Sequence, residues 1–174
     1  MNFTLGKTQV TVSFWLAVGL CAAALLPGRR LPLLLTAVTL HEGGHFAYLL
    51  LQKKHVGRIR FSLTGVRVTL ADGARLSGGE ELLLNLCGPA ANLLTGGAVL
   101  ICGRTMQVMR MAAVSFAVAA ATLVPLGESD GTAIVDILLE RYVSRLPEWG
   151  RKWLRRGIGA VLAAGLLAVG GAFG

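Results

Sequence analysis

Charged side chains are scarce in this chain. Only 15% of its 174 residues are Asp, Glu, Lys or Arg, against about a quarter in a soluble domain of this size. With 54% of the residues apolar, that scarcity excludes an ordinary soluble globule and predicts an integral membrane protein built mostly of helices. Acids are scarcer still, 9 against 17 bases, which leaves a net charge of +8. The bases cluster beside apolar segments, and no basic patch is interleaved with aromatics. The charge therefore speaks for membrane topology and anionic headgroups rather than for nucleic acid. Cysteine is rare as well. Cys21, Cys87 and Cys102 lie in or at the edge of apolar segments with no C-x-x-C pair, which argues against a disulfide framework and leaves them as small packing residues. The N-terminus has one base, Lys7, and no clear small-residue cleavage site before Pro27. The first apolar run is therefore expected to be a retained span rather than a cleaved signal.

Histidine is limited to three residues, and two of them stand in one short motif. His41-Glu42-Gly43-Gly44-His45 lies in the apolar run from Leu31 to Leu51. On a helix, His41 and His45 project about 40° apart around the axis, so both imidazoles reach one metal ion. Tetrahedral zinc is the usual occupant of such a pair. Glu42, next to the first ligand, is placed to take a proton from water rather than to bind the metal. A carboxylate near the centre of a membrane helix costs roughly 2.5–3.5 kcal/mol, and each helix-interior glycine adds about 1 kcal/mol. A bland alternative, a buried polar cluster that pins two helices, would carry those costs without a function. Gly43 and Gly44 put small residues beside the metal, where a backbone or a substrate can approach closely. Packing through a small-residue face is the plainer reading of the same pair.

The rest of the chain reads as spans around that motif. Val10 to Leu26 is the first, ended by Pro27-Gly28-Arg29-Arg30, and Leu31 to Gln52 is the second. From Arg58 the period changes to two: Ile59, Phe61 and Leu63, then Val66, Val68 and Leu70, alternate with polar residues across Thr64-Gly65. A β-hairpin over residues 56–71, lying at the membrane surface, is the expectation. Its open edge is a candidate for pairing with an extended substrate strand; an ordinary amphipathic hairpin is the alternative. Ser77 to Glu81 leads into a third span, Leu82 to Cys102, broken by Pro89 and carrying Asn92. Asn92 wants a partner in lipid, either across helices or near the metal. Met111 to Leu126 is the fourth apolar stretch. Pro125 and Gly127 break it, Asp130 opens an amphipathic helical piece that Pro147 ends, and Gly157 to Phe173 is the last span. The core spans are thus 31–52, 82–102 and 108–140 within a single domain over 1–174, an all-α polytopic membrane protein of five to six transmembrane segments with one small hairpin. Six bases between Lys53 and Glu80 outnumber those of the neighbouring connections, which predicts a cytoplasmic N-terminus and hairpin.

A catalytic zinc needs a third protein ligand and an open position. His55 lies ten residues beyond His45, too far along a continuous helix, so the candidates are acids. Asp130, after the Pro/Gly break and before Gly131, is the best placed, and Glu128 is weaker.

Three landmarks then stand in order: His-Glu-Gly-Gly-His, Gly88-Pro-Ala-Ala-Asn92, and Pro125 followed by Asp130-Gly131. Together they resemble the site-2 protease family of intramembrane zinc metalloproteases, in particular the small bacterial branch that processes a sporulation pro-sigma factor. The resemblance implies one zinc per chain held by His41, His45 and Asp130, with Glu42 as general base. Asn92, Pro125 and Gly131 are then expected to line the active site beside Gly43 and Gly44, and the resemblance implies that the hairpin contributes to substrate binding. It also implies a bacterial plasma-membrane location, a membrane-tethered protein substrate, and regulatory membrane proteins as further partners. Thr122 stands where the family carries Asn, and Gly-Glu-Ser precedes Asp130 in place of Pro-Leu. No appended regulatory module is expected. Two other classes compete with hydrolysis: a catalytically silent membrane binding protein that keeps the fold, and a metal-ion transporter. The first would be expected to lose one of the four polar residues. The second would want ionisable residues along several spans.

Overall fold

The computed structural model describes residues 2–5, 8–12, 30–53, 56–62, 65–70, 76–103 and 105–172. Its elements run β1 (Asn2–Leu5), β2 (Thr8–Val12), α1 (Arg30–Leu51), β3 (Val56–Ser62), β4 (Gly65–Leu70), α2 (Gly78–Cys102), α3 (Met106–Leu123), α4 (Asp130–Tyr142) and α5 (Glu148–Ala172).

The strands form one four-stranded sheet in the order β1-β2-β3-β4. β3 and β4 pair antiparallel, with Ile59 opposite Val68, Phe61 opposite Val66 and a register shift between Val56 and Arg58. β2 runs parallel to β3, with Val10 opposite Ile59. Parallel neighbours require a long crossover, and α1 lies in it. The two N-terminal strands correct the expected first span. Thr8-Gln9-Val10-Thr11-Val12 is β-branched at every position but Gln9, and it enters the sheet rather than opening a helix. The remainder of that expected span, 13–26, lies outside the described residues.

Among the described residues two helices, α2 and α3, are long and apolar enough to cross a membrane. Their outward faces stay uncovered: Leu94 is 74% exposed and Ile101 86%. Apolar surface on this scale calls for lipid or a partner, not water. What the helices bury instead is small and polar. α1 turns Ala37, His41, His45, Tyr48 and Leu49 inward, a stripe of helical period. α2 buries Gly88, Pro89, Asn92 and Gly96, and α3 buries Ala112, Ser115 and Ala119.

Small residues on these stripes let the backbones close up. A Cβ built on Gly44 would come within 2.9 Å of both the Cys87 carbonyl carbon and Ala91 Cβ, so α1 and α2 meet at Gly44. A Cβ on Gly96 would press on the Phe116 ring, 2.8 Å from Cε1, so that ring fills the place of a side chain on α2. The helix ends are specified locally. Ser77 caps α2 in a capping box with Glu80, Thr105 caps α3 and Ser129 caps α4.

Candidate metal centre

Three elements converge where α1 faces the middle of α2. α1 supplies His41 and His45 on its buried stripe, and their ring centroids are 4.9 Å apart. α4 supplies Asp130 at its first residue. The segment between α3 and α4 is braced to put it there. Ser129 Oγ donates to the Val124 carbonyl at 2.7 Å and accepts from the Thr132 backbone N–H at 3.3 Å. Gly127 takes a φ of +63°, a left-handed conformation that glycine adopts freely. Pro125 is buried in the same segment, and a Cβ on Gly131 would strike the Leu123 backbone. The expected break after α3 therefore has a definite use: it turns the chain so that α4 begins at the histidines.

His41 Nε2 lies 2.8 Å from Asp130 Oδ2, His45 Nε2 lies 3.5 Å from Asp130 Oδ1, and the two Nε2 atoms are 3.3 Å apart. The outer ring nitrogens determine what those inner atoms are. His45 Nδ1 is 2.7 Å from the Leu84 carbonyl oxygen. A carbonyl only accepts, so Nδ1 carries the proton, and in the neutral ring Nε2 presents a lone pair. On the other side, Asn92 Nδ2 is 3.3 Å from His41 Nδ1, while Asn92 Oδ1 is buried without a donor. Amide oxygen and nitrogen are distinguished only by their surroundings. Turning the amide over gives Oδ1 the Nδ1–H of His41 and leaves His41 Nε2 as a second inward lone pair. Asp130 Oδ2 is buried as well, and its approach to His41 lacks the alignment of a hydrogen bond.

Three acceptors thus face one another with no donor between them. Buried acceptors without a donor are costly, and a cation among them removes the cost. At zinc–nitrogen distances of about 2.0–2.1 Å, the ligand atoms of a tetrahedron stand about 3.3–3.4 Å apart. The separations of 3.3 and 3.5 Å match that edge, and 2.8 Å is somewhat shorter. His41, His45 and Asp130 are the His/Asp group that can hold a metal ion, their ligand atoms all within 4.8 Å of one another. Pairing the outer nitrogen of each ligating imidazole with a carbonyl or amide is the usual support of a metal site.

Among solved structures, a site-2 protease from Methanocaldococcus jannaschii superposes with a TM-score of 0.60 over 97% of this chain and 86% of that one, at 18% sequence identity. The chain has the fold of a site-2 protease. No family model matches it, and no curated protein does.

Within that fold the expected site residues separate into distinct positions. His41, His45 and Asp130 come together. Glu42 is half-buried beside them and forms no hydrogen bond or ion pair among the described residues. Asn92 stands behind His41. Gly44 is consumed by the contact with α2, whereas a Cβ on Gly43 would meet nothing within 4 Å. Pro125 and Gly131 shape the segment that delivers Asp130. Two contributors were not singled out in the sequence for their part here. The Leu84 carbonyl is backbone and leaves no trace in residue type. Ser129 follows the N-cap pattern, Ser three residues before a helix's first turn closes, and was legible by that signal. Gly88, noted only as part of a motif, is a steric necessity: its Cβ would lie 2.6 Å from His45 Cε1 and 2.7 Å from His41 Nε2.

Proposed function

We propose that this chain is an intramembrane zinc metalloprotease that hydrolyses peptide bonds of membrane-embedded or membrane-tethered proteins. The observation that carries the reading is the convergence of His41 Nε2, His45 Nε2 and the Asp130 carboxylate at 2.8–3.5 Å from one another, with Glu42 beside them and without a partner among the described residues. The site-2 protease fold supports it.

His41, His45 and Asp130 would hold the zinc. When bound, zinc polarises a carbonyl oxygen and brings the pKa of water down to about 7. The rest of the chemistry belongs to the side chains. Glu42 takes the proton from the attacking water and returns it to the leaving nitrogen. Leu84 O and Asn92 hold the imidazoles in the tautomer that points Nε2 inward. Gly43, with open space above it, leaves room for an extended peptide backbone. A helical substrate hides its carbonyls in its own hydrogen bonds, so it unwinds before it is cut.

The exposed apolar faces of α2 and α3 support a place in the lipid bilayer. A multi-pass plasma-membrane protein with the sheet on the cytoplasmic side is the corresponding topology. The substrate class is membrane-tethered, a pro-sigma factor being the finer expectation from the sequence resemblance.

The test is a Glu42→Gln protein beside the wild type, in detergent, against a panel of membrane-tethered substrates. General-base removal is expected to lower cleavage by about 10²–10⁴-fold while zinc content stays unchanged. Retained cleavage at full zinc content would sink the assignment.

A further inference from the structure

Toward the end of α4 remote from Asp130, α4 and α5 meet at a corner rich in exposed aromatic and basic residues. Tyr142 is 72% exposed there, Trp149 69% and Trp153 65%. Trp149, Lys152, Trp153 and Arg156 are exposed and recur at helical spacing on one face of α5, whereas Arg151, Arg155, Ile158 and Gly159 turn the other way. The inner face is anchored. Arg155 pairs with Asp136 of α4 at 2.5 Å, and a Cβ on Gly159 would come within 2.8 Å of the Pro125 carbonyl oxygen. The outer face carries uncommitted charge. Lys152 is spent on Glu148 at 2.6 Å, but Arg141, Arg145 and Arg156 have no acidic partner among the described residues. Arg141 lies 5.8 Å from the Tyr142 ring centroid and Arg156 lies 5.6 Å from that of Trp153. A guanidinium stacked this way keeps its N–H edge free for oxygen ligands.

The position of the corner narrows its partner. The Cβ site of Gly78 is 4.0 Å from Ile137 Cγ2, so the second half of α4 runs beside the first turn of α2. The corner therefore lies at the end of the helices from which α2 departs. β3 and β4, whose sequences hold Arg58, Arg60 and Arg67, precede α2 at that end. Beyond Arg156 the chain continues as the apolar run of 157–172. Indoles and unpaired arginines where an apolar helix begins are the composition of a membrane–water interface on an anionic leaflet.

We propose that this corner docks on the headgroups of anionic phospholipid, with Arg141, Arg145 and Arg156 binding phosphate oxygens while Trp149 and Trp153 seat at headgroup level. The proposal rests on the reading of the chain as membrane-spanning and does not depend on the metal.

The experiment uses the full chain with Trp15→Phe, which leaves Trp149 and Trp153 as reporters, reconstituted into phosphatidylcholine–phosphatidylglycerol vesicles. Either lipid is supplied in brominated form at equal mole fraction, and tryptophan quenching is read. At about 1 kcal/mol, or about fivefold, per base, brominated phosphatidylglycerol should quench as if enriched roughly fivefold or more over brominated phosphatidylcholine. The preference should vanish near 1 M salt, where the Debye length is about 3 Å, and in an R141Q/R145Q/R156Q protein whose circular dichroism matches the wild type. Equal quenching by the two lipids at low salt overturns the proposal alone, as does a preference unchanged in the triple variant. Quenching by neither lipid overturns the membrane reading along with it.

Discussion

α2 and α5 are each 25 residues long, and they spend their polar residues in opposite ways. α2 keeps its acids in the first turn, at a capping box, and buries Gly88, Pro89, Asn92 and Gly96 against α1 and α3. α5 buries Gly159 and leaves Trp149, Lys152, Trp153 and Arg156 in the open. On α2 every buried polar or small residue answers to a specific atom on a neighbour: Asn92 to His41, Gly88 to both imidazoles, Gly96 to Phe116. On α5 one polar residue, Arg155, reaches a neighbouring helix at Asp136, while Lys152 pairs within α5 and Arg156 faces outward. On α2, then, buried polarity gathers at the candidate site, and on the proposed reading the exposed polarity of α5 marks the membrane surface.

The largest test of that contrast is a single methyl group. Gly88→Ala puts a Cβ where both imidazole rings lie, so zinc content and cleavage should both fall close to zero. An intact zinc site in Gly88→Ala protein would mean that α1 and α2 do not meet as described. Asn92→Leu comes next. It keeps the branched shape and removes the acceptor for His41 Nδ1–H, and loss of such an outer partner typically costs about 10–100-fold in metal affinity. Competition with a zinc chelator would measure it, and an unchanged affinity would confine Asn92 to helix packing. On α5 the corresponding change should be nearly silent. A Cβ at Gly165 meets nothing within 4 Å, so Gly165→Ala should leave zinc and cleavage alone. It should raise thermal stability by at most about 1 kcal/mol through helix propensity, as a melting curve would record.

Much of the candidate site was legible because polar residues stand out in a chain this apolar. His41, Glu42 and His45 announce themselves by spacing, and Asp130 by following a Pro/Gly break. Asn92 was visible as a polar group in need of a partner, but not which partner, since that depends on how α2 rotates against α1. The same blindness covers Gly43 and Gly44. Adjacent on one helix, they face 100° apart by helix geometry, and only the position of α2 decides that Gly44 is buried in the contact while Gly43 is open. β2 was hidden for another reason. Five mostly β-branched residues at the head of an apolar run look like the start of that run, and the parallel pairing that claims Gln9–Val12 is with a strand more than forty residues later.

The central claim is that three side chains hold one zinc. The most direct measurement is zinc stoichiometry of the purified chain together with X-ray absorption at the zinc edge, for the wild type and for Asp130→Ala. The account predicts one zinc per chain with two imidazole nitrogens and oxygen ligands at about 2.0–2.2 Å, and a large loss of zinc in the variant. A wild-type protein without zinc, or a zinc shell unchanged by Asp130→Ala, would contradict it.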